Sequence, residues 1–146
     1  MKCQVIKLAS EEETLELGRS LARRVERGLV FLQGELGTGK TTIVRGWLRA
    51  LGRMGPVTSP TYTLIEPYQL NGIDILHIDL YRIENIEELD YIGLLEQLEL
   101  SHLQLVEWPE QGSEVLPEPD VVIRLARKGN GRTANIGYFN DQIAMS

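Results

Sequence analysis

Leu29-Val30-Phe31-Leu32-Gln33-Gly34-Glu35-Leu36-Gly37-Thr38-Gly39-Lys40-Thr41-Thr42 is the stretch on which the reading of the chain turns. Its first five residues make a short apolar run, the mark of a strand buried in a parallel sheet. Gly34 to Thr41 then fits G-x-x-x-x-G-K-[ST] without a mismatch. At average residue usage a chain of 146 residues meets those four conditions by chance about once in a few hundred cases. Beyond the loop, Ile43, Val44, Trp47, Leu48 and Leu51 recur at helical spacing until Gly52 and Gly55-Pro56 stop them. Glycines let a backbone wrap a phosphate where side chains would clash, and the loop amides with the helix N-terminus supply donors and positive potential. Gly37, Thr38 and Gly39 are therefore candidate phosphate-wrapping residues. Lys40 is expected on the β and γ phosphates of a nucleotide and the Thr41 hydroxyl on magnesium.

Upstream, Val5-Ile6-Lys7-Leu8 reads as a short strand, and Ser10 with Glu13 forms a capping box. Leu15, Gly18, Leu21, Ala22 and Val25 then mark a helix. Downstream, 63–68 and 73–78 read as strands joined through Asn71-Gly72, a hairpin turn. The spacing of Ile86, Leu89, Leu94, Leu95 and Leu98 predicts one helix over 84–100. Strands are expected at 103–106, at 121–125 and, weakly, at 134–138. The order β-α-β-loop-α at the start predicts α/β architecture. The whole chain, 1–146, is expected to be a single P-loop NTPase-like domain with a mixed, largely parallel central sheet flanked by helices.

Two carboxylates end apolar strands. Ile75-Leu76-His77-Ile78-Asp79 is a Walker B pattern, and such an aspartate holds the magnesium or its waters. Glu107 closes Leu103-Gln104-Leu105-Val106 and is a second candidate for the metal or the attacking water. The hydroxyl-rich Ser59-Pro60-Thr61-Tyr62-Thr63 is placed to act as a switch loop sensing the γ-phosphate. His77 and His102 lack metal-ligand spacing and are read as structural. Asp90-Tyr91-Ile92-Gly93 spells D-x-x-G, a GTPase element, but falls inside the predicted third helix. No N-K-x-D guanine-reading motif occurs in the sequence, so ATP is the expected nucleotide.

Composition narrows the field. Hydrophobic residues are 42% and charged residues 25%, as in ordinary globular chains. No apolar run is long enough for a membrane span. The segment Met1-Lys2-Cys3-Gln4-Val5-Ile6-Lys7-Leu8 turns polar too soon for a secretory signal, and Cys3 has no second cysteine to pair with. A reduced, cytoplasmic location is expected. The net charge of -6 argues against unaided nucleic-acid binding, which relies on a basic face.

The assembled motifs resemble the bacterial TsaE (YjeE) family. The loop with Thr42 is followed by Ser59-Pro60-Thr61-Tyr62-Thr63-Leu64, then by His77-Ile78-Asp79-Leu80-Tyr81-Arg82 and by Val106-Glu107-Trp108-Pro109-Glu110-Gln111-Gly112. Leu116-Pro117, Pro119-Asp120 and Gly131-Arg132 complete a likeness covering roughly residues 5 to 132. The resemblance implies a magnesium-dependent ATPase required for threonylcarbamoyladenosine in tRNAs that read codons beginning with adenine. It implies TsaB and TsaD as partners, with tRNA reached through them. Carried over by position, Lys40, Thr41 and Thr42 bind phosphate and metal, and Asp79 and Glu107 serve magnesium and hydrolysis. Trp108 supports Glu107 or a partner contact, and Glu11 and Arg132 lie near the nucleotide. A small-molecule P-loop kinase and a non-catalytic nucleotide switch stay open beside this reading.

Overall fold

The computed structural model describes residues 2–140. They form seven strands: β1 (Lys2–Leu8), β2 (Gly28–Gln33), β3 (Ile65–Leu70), β4 (Ile73–Asp79), β5 (Leu103–Glu107), β6 (Val121–Lys128) and β7 (Gly131–Tyr138). Their order in the sheet is β1-β7-β6-β2-β5-β4-β3. The four central strands, β6, β2, β5 and β4, run parallel, and β7, β1 and β3 add antiparallel edges. The expected mixed sheet with a parallel centre is what forms.

Strand alternation sorts the core into two layers. Val30, Leu32, Ile75, Leu103, Leu105 and Ile123 face α1 (Glu11–Arg24) and α2 (Lys40–Ala50). Leu29, Leu76, Ile78 and Val106 face α3 (Glu87–Tyr91) and α4 (Leu94–Leu100). Ile43, Val44, Trp47 and Leu48 of α2 are fully buried, each contributing about 1.5–3 kcal/mol by leaving water. Gly18 and Gly46 let α1 and α2 touch backbone to backbone, because a Cβ at either would strike the carbonyl of Ile43 or of Leu15. The start of α1 is a capping box in which the Glu13 N–H donates to Ser10 Oγ at 3.2 Å. Its return bond is shifted by one residue, with the Ala9 N–H donating to Glu13 Oε1.

Three sequence expectations need correction. The helix expected over 84–100 is two short helices, because Gly93 adopts a left-handed conformation (φ 65°) and donates its N–H to Asp90 O. Leu89, Leu94 and Leu98 lie in the same core layer on both sides of this break, so the apolar stripe hid it. The D-x-x-G run therefore spans the break instead of lying within one helix. The strand expected at 63–68 begins at Ile65, after Leu64 turns the chain at φ 69°. The weak strand expected at 134–138 is an eight-residue strand hydrogen-bonded to β1 and β6 on its two edges. The hairpin holds: Asn71 (φ 53°) and Gly72 (φ 74°) are both left-handed, as a type I′ turn demands. Among the described residues no helix is long and apolar enough to cross a membrane.

Candidate active site

The C-terminal ends of β2, β4 and β5 lie side by side, so the segments leaving these strands meet at one edge of the sheet. Asp79 and Glu107 are register partners, and Glu107 is level with Leu32 of β2. Partners in register share a face, and this one is the face covered by α1 and α2. The loop leaving β2 enters α2 on that same side.

The loop is held in shape by unusual backbone and by its neighbours. Gly37 (φ 75°) and Gly39 (φ 109°) take conformations that side chains rarely adopt. Thr38 closes the turn with its hydroxyl donating to Glu35 O at 2.7 Å. Arg127 donates to Leu36 O at 2.6 Å and Arg132 to Gly37 O at 3.1 Å, bracing the loop from β6 and β7. Gly39 caps α2 without a side-chain hydrogen bond, and the first turn carries no acidic residue. That leaves the helix N-terminus suited to an anion.

Lys40 is buried, with its ammonium donating to the carbonyls of Gly34 and Glu35. Its Nζ lies 4.3 Å from the centre of the Trp108 ring. Burial lowers its pKa from the ordinary 10.5, while Glu107, Glu110 and Asp79 pull the other way. Trp108 itself is left-handed (φ 57°) and packs against Tyr81 with ring centres 4.8 Å apart.

Below the lysine, Thr41 Oγ1 lies 2.9 Å from both Glu107 oxygens and donates to that carboxylate. His77 Nε2 reaches Glu107 Oε2 at 2.6 Å. Asp79 is tied to the 59–63 loop, accepting from the Ser59 hydroxyl through Oδ2 and from the Tyr81 N–H through Oδ1. The Arg82 guanidinium sits 4.7 Å from the centre of the Tyr62 ring.

Two cavities flank the loop and share Gly37, Gly39 and Thr42 as walls. One, of about 490 Å³, takes in Lys40, Thr41, Ser59, Asp79, Glu107 and Trp108. The other, of about 260 Å³, takes in Glu11, Thr14, Thr38, Asn130 and Arg132. Gly37, Thr38, Gly39, Lys40, Thr41, Thr42, Asp79, Glu107, Trp108, Glu11 and Arg132 thus each line one cavity or both, and of the candidate switch loop Ser59 and Thr61 do so. Glu11 is largely exposed and lies 3.7 Å from Arg45. Sequence reasoning passed over Arg127, whose hold on the loop carries no local pattern. It read His77 as structural, although His77 lies two residues before Asp79 on the same strand face, a period-2 signal visible in the chain itself. His102 is structural, its Nδ1 accepting from the Asp74 N–H at 2.9 Å.

The family model for threonylcarbamoyl adenosine biosynthesis protein TsaE matches residues 8–134. A tRNA threonylcarbamoyladenosine biosynthesis protein TsaE from Haemophilus influenzae is 42% identical over 113 residues, 77% of this chain and 65% of the relative. The chain thus spans just under two thirds of that relative's length. The protein of that name from Borreliella burgdorferi is 32% identical over 136 residues, 90% of this chain and 98% of the relative. A crystal structure of YdiB from Bacillus subtilis superposes with a TM-score of 0.81 at 26% identity, covering 99% of this chain and 90% of that one.

Proposed function

Given that the chain belongs to the TsaE family of threonylcarbamoyl adenosine biosynthesis proteins, we propose that it binds and hydrolyses ATP with magnesium in the making of threonylcarbamoyladenosine on tRNA. The tRNAs are those reading codons that begin with adenine, and TsaB and TsaD are the partners. The observation that carries the reading is the contact of Thr41 with Glu107, set beside a buried Lys40 at an uncapped helix start.

The residues suit the groups they would hold. The glycine-rich turn with Gly37 and Gly39 in left-handed conformations offers the close backbone approach a phosphate needs. The Thr41 hydroxyl and the carboxylates of Glu107 and Asp79 are hard oxygen donors, the kind magnesium prefers. Among the described residues no three His, Cys, Asp or Glu side chains gather into a ready cation cage. Magnesium does not need one, since it is usually held by one or two carboxylates together with the substrate's phosphates. Bound there, magnesium would supply charge neutralisation on the nucleotide's phosphates. Lys40 would exchange its two carbonyl partners for phosphate oxygens, Thr41 would keep its O–H donated to Glu107 and offer its oxygen lone pairs to the metal, and Glu107 would orient the attacking water. Glu11 and Arg132 border the cavity left for the nucleoside.

Slow turnover by the lone chain fits the arginines. Arg127 and Arg132 are engaged with loop carbonyls, and Arg82 lies over Tyr62. A P-loop site without an arginine on the γ-phosphate is typically slow, and one supplied in trans adds about three to five orders of magnitude. The acidic chain, at -6, then meets tRNA through its partners. Calorimetric titration with ATP, with and without magnesium, tests the reading. Saturable binding that tightens with magnesium is expected, and absence of ATP binding by the folded chain would overturn it.

A further inference from the structure

We propose that His77 is a positioning residue that fixes the Glu107 carboxylate against Thr41. The inference rests on the proposed magnesium–ATP role of Glu107 and Thr41. His77 is fully buried in β4, in register with Leu105 of β5, between the apolar Ile75 and the acidic Asp79 on this face of the strand. A leucine would fill that place without burying polar atoms, so the imidazole has to be justified by what it touches. It touches Glu107 Oε2 at 2.6 Å, and its Nδ1 has no hydrogen-bond partner among the described residues.

This asymmetry sets the tautomer. A carboxylate only accepts, so the ring proton belongs on Nε2 and the unpartnered Nδ1 is a bare acceptor. The opposite tautomer would face a lone pair to the carboxylate and bury an unpaired N–H, a costlier arrangement. With Oε2 held by the ring, the carboxylate cannot turn about its last bond, and both of its oxygens stay 2.9 Å from the Thr41 hydroxyl. That contact occupies the Thr41 O–H and leaves the Thr41 lone pairs to face outward. His77 therefore acts through Glu107, without touching nucleotide, as outer-shell groups do at metal sites.

The test compares His77→Leu and His77→Gln with the unaltered chain, reading ATP affinity across a magnesium series and ATP affinity in chelator. His77→Leu is expected to raise the magnesium midpoint about tenfold or more, the usual cost of losing an outer-shell partner. Affinity in chelator should be unchanged. His77→Gln, whose amide can donate near the place of Nε2, should recover most of the difference. Nitrogen-15 NMR of the ligand-free protein should show the Nε2–H tautomer at His77. An unshifted magnesium midpoint in folded His77→Leu, or an Nδ1–H tautomer, would overturn the positioning role. Should His77→Leu not fold, a His77→Gln midpoint raised as far as tenfold would count against it, and the tautomer decides independently. If the unaltered chain bound no ATP, the functional reading would fall, while the NMR result would still decide the His77–Glu107 contact.

Discussion

The two walls of the candidate nucleotide cleft are built by different means. On one side the loop of Gly34 to Lys40 sits between α1, β6 and β7. Backbone turns shape it, and Arg127 and Arg132 brace it by bonding its carbonyls. On the other side residues 59–64 form a loop between α2 and β3, closed at its end by backbone bonds from the Leu64 N–H to Pro60 O and the Asp79 N–H to Leu64 O, and otherwise fastened by side chains: Ser59 to Asp79, Tyr62 to Arg82 and, beyond them, Tyr81 to Trp108. Tyr62 is 84% exposed, so its contact with Arg82 lies open to water. A wall made of backbone and regular elements opens only with the fold, whereas one made of a few side-chain contacts opens locally at small cost. The first suits a permanent cradle. The second suits a part whose order depends on the γ-phosphate or on a docked partner.

Lys40→Ala strikes the fixed wall hardest. It removes the charge facing the phosphates, and ATP affinity in a titration should fall by about two orders of magnitude or more, with the melting transition kept. The lysine also gives the cradle a pH dependence. Burial lowers its pKa from 10.5, so the charge is present below that lowered value and is lost above it. ATP affinity measured over a pH series should therefore fall on the alkaline side, starting below the pH at which an ordinary lysine titrates, and Lys40→Ala should flatten the profile.

Glu107→Ala separates chemistry from binding. If Glu107 orients the water, phosphate release should drop about a hundredfold while the affinity for a fluorescent ATP analogue drops far less. Equal losses would make Glu107 a plain binding residue. Ser59→Ala tests the second wall by freeing Asp79 from the loop. Amides of residues 59–64 should then exchange with solvent about tenfold faster, as fits one lost hydrogen bond to a charged group, while those of 37–42 keep their protection. Faster exchange in both segments would mean that the two walls are one unit. Arg127→Ala should have the smallest effect, about threefold on ATP affinity, because it removes one exposed brace and leaves Arg132 in place.

What could be read from the sequence divides along the same line. The cradle was legible because its chemistry is local: the glycines, Lys40 and Thr41 lie within eight consecutive residues and a buried strand leads into them. Asp79 and Glu107 were legible as acids ending apolar strands. That they are register partners depends on β4 and β5 being neighbours, which no single segment states. The same holds for His77, whose partner is 30 residues away, and for Arg127, which meets Leu36 from 91 residues away. The break at Gly93 escaped because both short helices keep the same apolar spacing, and the length of β7 escaped because β1 and β6 supply its pairing from distant parts of the chain.

Phosphate release from ATP and magnesium, measured with the chain alone, with TsaB, with TsaD and with both, bears most directly on the account, with Lys40→Ala as the blank in every mixture. The expected result is slow release by the chain alone, a marked rise when both partners are present, and loss of activity with Lys40→Ala throughout. Release by the lone chain at the rate of the full mixture would contradict partner control, and release no greater than the Lys40→Ala blank in any mixture would contradict the ATPase itself.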